Sequence, residues 1–259
     1  MSALRTRSPV RTRGCRACSD EEPLGFDFTF AYQPIVDIAT RGVFAHEALV
    51  RGPNGESAIS VLSQVAPDAT YRFDQLCREK AIAGAARLGI AEQLSINFLP
   101  NAVYQPERCV RRTIEAARAH GFALDKIIFE TVETEEVADE SHLARIFREY
   151  RRLGLKTAID DFGAGASGLR LLANFQPDLI KLDMALIRGI DGDRVRRAIL
   201  RGVMSICNEL SIQVIAEGIE TAAERDCLAD EGVRLMQGFL FARPAFQAIA
   251  DLDPTAWPA

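Results

Sequence analysis

The sequence predicts an α/β fold, a closed (β/α)8 barrel of the TIM type, and three observations carry that prediction. Short apolar runs rich in Ile, Val, Leu and Phe recur along the chain, as strands covered on both faces require. Between most of them lie stretches with apolar residues at three- and four-residue spacing, the mark of helices with one buried face. About eight such units fit into 259 residues. That length suits a closed barrel of roughly 250 residues better than an open doubly wound sheet.

Taken in order, the predicted strands are 30–36, 43–50, 94–98, 127–132, 157–162, 179–183, 213–216 and 235–241. Predicted helices are 71–88, 107–120, 140–153, 194–210 and 222–231, with Gly89, Gly121, Gly154 and Gly232 placed where helices stop. Strands separated by helices imply parallel pairing with right-handed crossovers.

Residues 1–24 are polar, Arg-rich and then acidic, which predicts a flexible leader or the stub of a linker. The barrel is expected over 25–250 and a short tail over 251–259. Cys15 and Cys18 resemble half of a zinc or redox site, but no second such pair exists, so two thiols on a loose tail is the simpler reading. No apolar segment follows the early arginines and no run is long enough to span a bilayer, which predicts a cytoplasmic protein without a membrane segment. Net charge is −5, so no global basic field attracts a nucleic acid polymer. An anionic substrate then needs imported cations or well-placed Arg and Lys.

Polar residues close successive predicted strands: Glu47, Asn97, Glu130, Asp160-Asp161, Lys181 with Asp183, and Glu217. In a barrel these strand ends share one face, where function resides. Carboxylates gathered there repel unless something positive joins them, and divalent metal is the simplest answer. Each motif also has a plainer reading. Asp160-Asp161 fits a solvated acidic turn, its two carboxylates pointing to opposite sides of the strand. Glu130 and Glu133 fit a ligand with a supporting carboxylate, or the polar exit of a strand. Asn97 reads as a buried amide needing a partner. Lys181, deep in an apolar run, needs anionic company, either a phosphate or an ion pair such as one with Asp183. His46, His120 and His142 lack metal-ligand spacing. Such a barrel could cleave a phosphodiester with two metals or enolise a carboxylic acid with one magnesium and a lysine base.

The segment Glu47-Ala48-Leu49-Val50-Arg51 resembles the signature of the EAL domain family of cyclic di-GMP phosphodiesterases. Tyr32-Gln33-Pro34-Ile35-Val36-Asp37 upstream is similar to the family's opening strand. Asn97, Glu130 to Glu133, Asp160-Asp161-Phe162-Gly163, Lys181-Leu182-Asp183, Glu217-Gly218-Ile219-Glu220 and Gln237-Gly238-Phe239-Leu240-Phe241 follow in the family's order. The match covers about residues 28–246.

The resemblance implies a barrel whose first strand runs antiparallel to the rest, and hydrolysis of cyclic di-GMP to linear pGpG with two Mg2+ or Mn2+ ions. It implies that Glu47, Asn97, Glu130 and Asp160 hold one metal, with Asp160 bridging to a second held by Asp161 and Glu217. It gives catalytic roles to Asp161, Lys181, Glu217 and Gln237 around the attacking water. Arg51 is expected to grip a substrate phosphate, Gln33, Asp183 and Glu220 to position substrate, and Glu133 to brace the loop 163–168. A homodimer near the fifth strand and its following helix is implied, with control from a sensor domain or partner protein outside this chain. The chain departs from the family pattern at Gly52-Pro53-Asn54-Gly55, where Trp is usual after the Arg, at Thr131-Val132, whose order is reversed, and at Ala166 and Gly168. A non-catalytic cyclic di-GMP receptor or protein-interaction module of the same fold is the alternative.

Overall fold

A computed structural model describes residues 23–103, 105–132, 140–165 and 168–258. Glu133, Cys15, Cys18 and Ala166 lie outside the described residues. Among the described residues nine strands form one sheet in the order β2-β3-β4-β5-β6-β7-β8-β1-β9, and pairing of β1 with β2 closes the barrel. The strands are β1 Thr29–Asp37, β2 Gly42–Arg51, β3 Gln93–Asn97, β4 Ile127–Val132, β5 Lys156–Phe162, β6 Leu179–Leu182, β7 Gln213–Ala216, β8 Leu235–Met236 and β9 Ala245–Phe246. From β2 to β8 neighbours pair in parallel, whereas β1 is antiparallel to β2, β8 and β9. The reversed first strand is therefore present.

The helices are α1 Ala58–Leu62, α2 Thr70–Leu88, α3 Pro106–Cys109, α4 Arg111–Ala119, α5 Glu140–Arg152, α6 Gly168–Asn174, α7 Met184–Ile187, α8 Arg194–Glu209 and α9 Ala222–Asp230. Gly89 ends α2 in the left-handed conformation at φ +73, donating its amide back to Ala85 and Ala86. Asp193 caps α8 by accepting from Val195 and Arg196 amides. No helix among the described residues is long and apolar enough to cross a membrane.

One predicted helix and two predicted strands differ in extent or continuity from the sequence prediction, and one strand is unpredicted. The run expected as one helix over 107–120 is split at Val110, whose ψ of −14 interrupts regular helix while it and Cys109 turn into the core. The strand expected over 179–183 stops at Leu182, because Asp183 instead caps α7 through the Ala185 amide at 2.8 Å. The strand expected over 235–241 is only Leu235–Met236. Beyond it the Phe241 and Ala242 amides donate to the Gly238 carbonyl, making a turn of residues with strand-like composition. The unpredicted β9 then covers the part of the β1 edge that the short β8 leaves, pairing with Ala31 and Tyr32.

Two apolar layers hold the barrel together. Outward strand residues such as Ile96 and Phe129 belong to the large core that includes Ile82 of α2 and Phe147 of α5. Inside lies a separate plug of Ile35, Ala45, Ile128, Ala158, Leu179, Ile215 and Leu235. At roughly 25 cal/mol per Å2 of apolar surface, each fully buried Leu or Ile stabilises by about 1.5–3 kcal/mol. Fully buried Arg78 ties α2 to α5, pairing with Asp74 at 2.6 Å and donating to the Tyr150 hydroxyl at 3.0 Å. Asp74 also accepts the Leu99 amide at 2.9 Å, which fixes the chain just past Asn97.

Candidate active site

The plug sets the floor of the site through strand periodicity. Each plug residue is followed two positions nearer the open end, on the same face, by a polar one. Ala45 is followed by Glu47, Ile128 by Glu130, Ala158 by Asp160, Leu179 by Lys181, Ile215 by Glu217 and Leu235 by Gln237. On the reversed β1 the step from Ile35 leads to Gln33, which pairs across to Glu47. Residues separated by up to 204 positions, Gln33 to Gln237, thus meet in one ring.

Lys181 lies at the centre of that ring with no solvent exposure. Its ammonium is 2.7 Å from Glu217 Oε1, 3.1 Å from Glu130 Oε2, 3.2 Å from Asp160 Oδ1 and 3.5 Å from Glu47 Oε1. The partners are these four carboxylates, and no ion pair with Asp183 forms among the described residues. Gln237 donates to Glu47 Oε2 at 2.8 Å, and Asn97 donates to Glu47 Oε1 at 3.3 Å. Asn97 is exposed at the end of β3, not buried as its apolar neighbours suggested, because the strand ends there.

Asp160 and Asp161 do not point to opposite sides. The β5–β6 register shifts between Ile159 and Phe162, and Asp161 takes a left-handed backbone at φ +53. This bulge turns Asp161 so that both carboxylates line one cavity. Asp is among the few residues that tolerate such a backbone.

Burial and crowding shape the electrostatics. Burial pushes Glu130 up to about 8; Lys181 opposes the shift, and the Glu47 and Asp160 charges add to it. Glu217 is held well above the ordinary carboxylate range by burial, again against the pull of Lys181. Asp161 is raised by burial and then by the Asp160 and Asp183 charges. Burial alone would lower Lys181, but the surrounding carboxylates hold it well above the usual ammonium value. One ammonium does not neutralise five carboxylates.

Glu47, Glu130 and Asp160 bring one oxygen each within 4.8 Å of one another, and so do Asp160, Asp161 and Glu217. Two oxygen triads sharing Asp160 fit hard divalent cations such as Mg2+ or Mn2+. Gln237 Oε1 is buried without a partner among the described residues, consistent with a polar group still to be met there. A cavity of about 260 Å3 opens above the ring, lined by Gln33, Glu47, Asp160, Asp161, Lys181, Asp183, Glu217, Glu220 and Gln237. Glu130 lies beneath it, fully buried. Arg51 is not among the lining residues, since its guanidinium turns back to the Val50 carbonyl at 2.8 Å.

Sequence reasoning missed Ser95, Met184 and Phe239. Met184 and Phe239 line the cavity, and both are exposed. Gly218 and Gly238 admit the close loop approach there, because a Cβ on Gly238 would overlap the Ile219 backbone. Ser95, fully buried, donates its hydroxyl to Glu130 Oε1. Its place two residues before Asn97, on the same strand face, was the available signal.

The EAL domain description matches residues 23–244. The chain belongs to the EAL domain family. This EAL domain is 52% identical to a standalone versatile EAL protein from Vibrio cholerae O395 solved with c-di-GMP bound, at a TM-score of 0.88, covering 92% of this chain and 100% of that one. It is 39% identical to BlrP1 of Klebsiella pneumoniae in a manganese and cyclic di-GMP complex, at a TM-score of 0.83 over 90% of this chain and 59% of that one. It is also 33% identical over 231 residues to BluF, a blue light- and temperature-regulated antirepressor of Escherichia coli, covering 88% of this chain and 56% of BluF. Other Escherichia coli relatives are named as a cyclic di-GMP phosphodiesterase, PdeR, or as probable cyclic di-GMP phosphodiesterases, PdeN and PdeD. The chain spans about half the length of the first curated relatives it matches.

Proposed function

We propose that this EAL domain is a phosphodiesterase that hydrolyses cyclic di-GMP to linear pGpG with two divalent ions, Mg2+ or Mn2+. The observation that carries the reading is the pair of carboxylate triads sharing Asp160 on the floor of an open cavity. Glu47, Asn97, Glu130 and Asp160 would hold one ion, and Asp160, Asp161 and Glu217 the other. A bound pair supplies Lewis-acid neutralisation of the phosphate and a more acidic water. Asp161 and Lys181 orient the attacking water in line with the scissile bond, and Gln237 steadies it from beside Glu47. One water adds at phosphorus and one P–O ester bond breaks. The leaving ribose oxygen takes up a proton, and the product keeps a terminal phosphate. Gln33, Asp183 and Glu220 line the cavity wall and would position the substrate. Arg51 would swing from the Val50 carbonyl to a substrate phosphate, and Glu133 would brace the loop 163–168.

Incubation of the purified chain with cyclic di-GMP and Mn2+ should yield pGpG by chromatography, and Glu47→Ala should abolish it. No turnover at saturating metal by a folded, metal-binding protein would overturn the reading. A second reading has its own support: BluF, an antirepressor, matches along most of the chain. In that reading the domain binds the nucleotide or another protein without cleaving anything. Tight cyclic di-GMP binding with no product distinguishes it.

We place the protein in the cytoplasm as a homodimer meeting near β5 and the helix after it, where Leu169 is 62% exposed. Control would come from a sensor domain or partner protein. A single-chain mass in solution at micromolar concentration would overturn the dimer.

A further inference from the structure

On seven strands, the residue two positions below the polar ring is Ile, Ala or Leu. On β3 alone that inward position is polar: Ser95, two residues before Asn97 and paired across to Glu47. A hydroxyl in that layer has no solvent to satisfy it, since Ser95 is 0% exposed. Its partner is Glu130 Oε1. The other Glu130 oxygen, Oε2, faces Lys181 at 3.1 Å. The two oxygens of one carboxylate are therefore given different tasks by two different donors.

We propose that Ser95 is a positioning residue for metal binding: its hydroxyl engages one oxygen of Glu130 and so presents the other to the ring. This rests on the reading that Glu130 is a metal ligand. Ser95 lies below the cavity lining and cannot touch substrate. Its effect must pass through Glu130. Partners that orient a ligating carboxylate typically change metal affinity or activity by about 10–100-fold when removed. A serine hydroxyl suits the task because it donates one proton to the carboxylate from a short side chain with no charge of its own.

The test is calorimetric titration of the full chain with Mn2+, comparing wild type, Ser95→Ala and Ser95→Cys at one pH. Cysteine keeps nearly the size of serine and weakens the donor, so it decides the question if the alanine variant does not fold. The expected order of affinity is wild type, then Cys, then Ala, with Ala weaker by about 10–100-fold. Excess Mn2+ should restore most hydrolysis in Ser95→Ala, which a general packing defect would not allow. Variants that bind Mn2+ within about twofold of a binding wild type would overturn this inference and leave the proposed function standing. A wild type that binds no Mn2+ would overturn both.

Discussion

Lys181 Nζ lies 3.1 Å from Glu130 Oε2, and neither side chain reaches solvent. A buried charge pair is costly to break from one side, because the remaining charge keeps its desolvation penalty without its partner. Lys181 also serves Glu47, Asp160 and Glu217, so its loss leaves four carboxylates facing one another. Lys181→Met should lower the stability of metal-free protein by about 3–5 kcal/mol at pH 8. The loss should shrink at pH 5, where protonation relieves the repulsion. Mn2+ should recover much of it. Denaturant melts with EDTA and with Mn2+ check each part, and equal stability of mutant and wild type in EDTA at pH 8 would refute it.

The raised pKa of Glu130 makes a pH prediction with a definite sign. Its folded value of about 8 exceeds the ordinary 4.5, so the folded state binds more protons across that window. Its contribution is therefore fully present below pH 4.5 and declines as pH rises towards 8. Burial shifts Glu217 and Asp161 in the same direction. Stability of the protein in EDTA should fall between pH 5 and pH 8, and Glu130→Gln should flatten the fall. A rising or level profile for wild type would contradict the assignment.

The left-handed backbone of Asp161 separates two effects that substitution usually mixes. Asn tolerates φ near +53, so Asp161→Asn should keep the fold while removing the charge. Asp161→Val forces a β-branched residue into the same backbone and should cost about 1–3 kcal/mol in addition. Chemical unfolding of both variants reads the difference, and both should show little or no hydrolysis. Equal stability of the two would mean that the bulge relaxes.

Glu224 holds two loops of the cavity together. Its carboxylate accepts amides from Gly189 at 2.8 Å, Glu220 at 3.0 Å and Thr221 at 3.1 Å, while Thr221 returns the bond as helix cap. Glu224→Ala should destabilise by about 1–3 kcal/mol through the stranded donors. It should also raise KM for cyclic di-GMP more than it lowers kcat, because Glu220 lines the cavity and loses its anchor. Unchanged KM would show that the loop needs no such support.

Some of this was open to reading along the chain. Strand–helix alternation announced a barrel, and strands such as 127–132 and 213–216 fall where their apolar runs lie. Local composition was a poor guide where tertiary contacts intervene. Phe239-Leu240-Phe241 looks like strand but turns, because Gly238 lies against the Ile219 backbone and Phe241 packs on Trp257. Two-residue β9 is too short to carry a pattern, and it forms because the exposed edge of β1 needs partners. Ser95 carried only its spacing from Asn97 as a signal, and its partner Glu130 lies on the neighbouring strand β4, which the spacing does not reveal.

The amino-acid order by itself determined which polar groups end each strand, since alternation places every second side chain on the same face. Only the closed barrel decided their mutual distances, the shared facing of Asp160 and Asp161, and the central place of Lys181. Those depend on stagger, a bulge and burial. They are relations between strands far apart in the chain, and no local pattern encodes them.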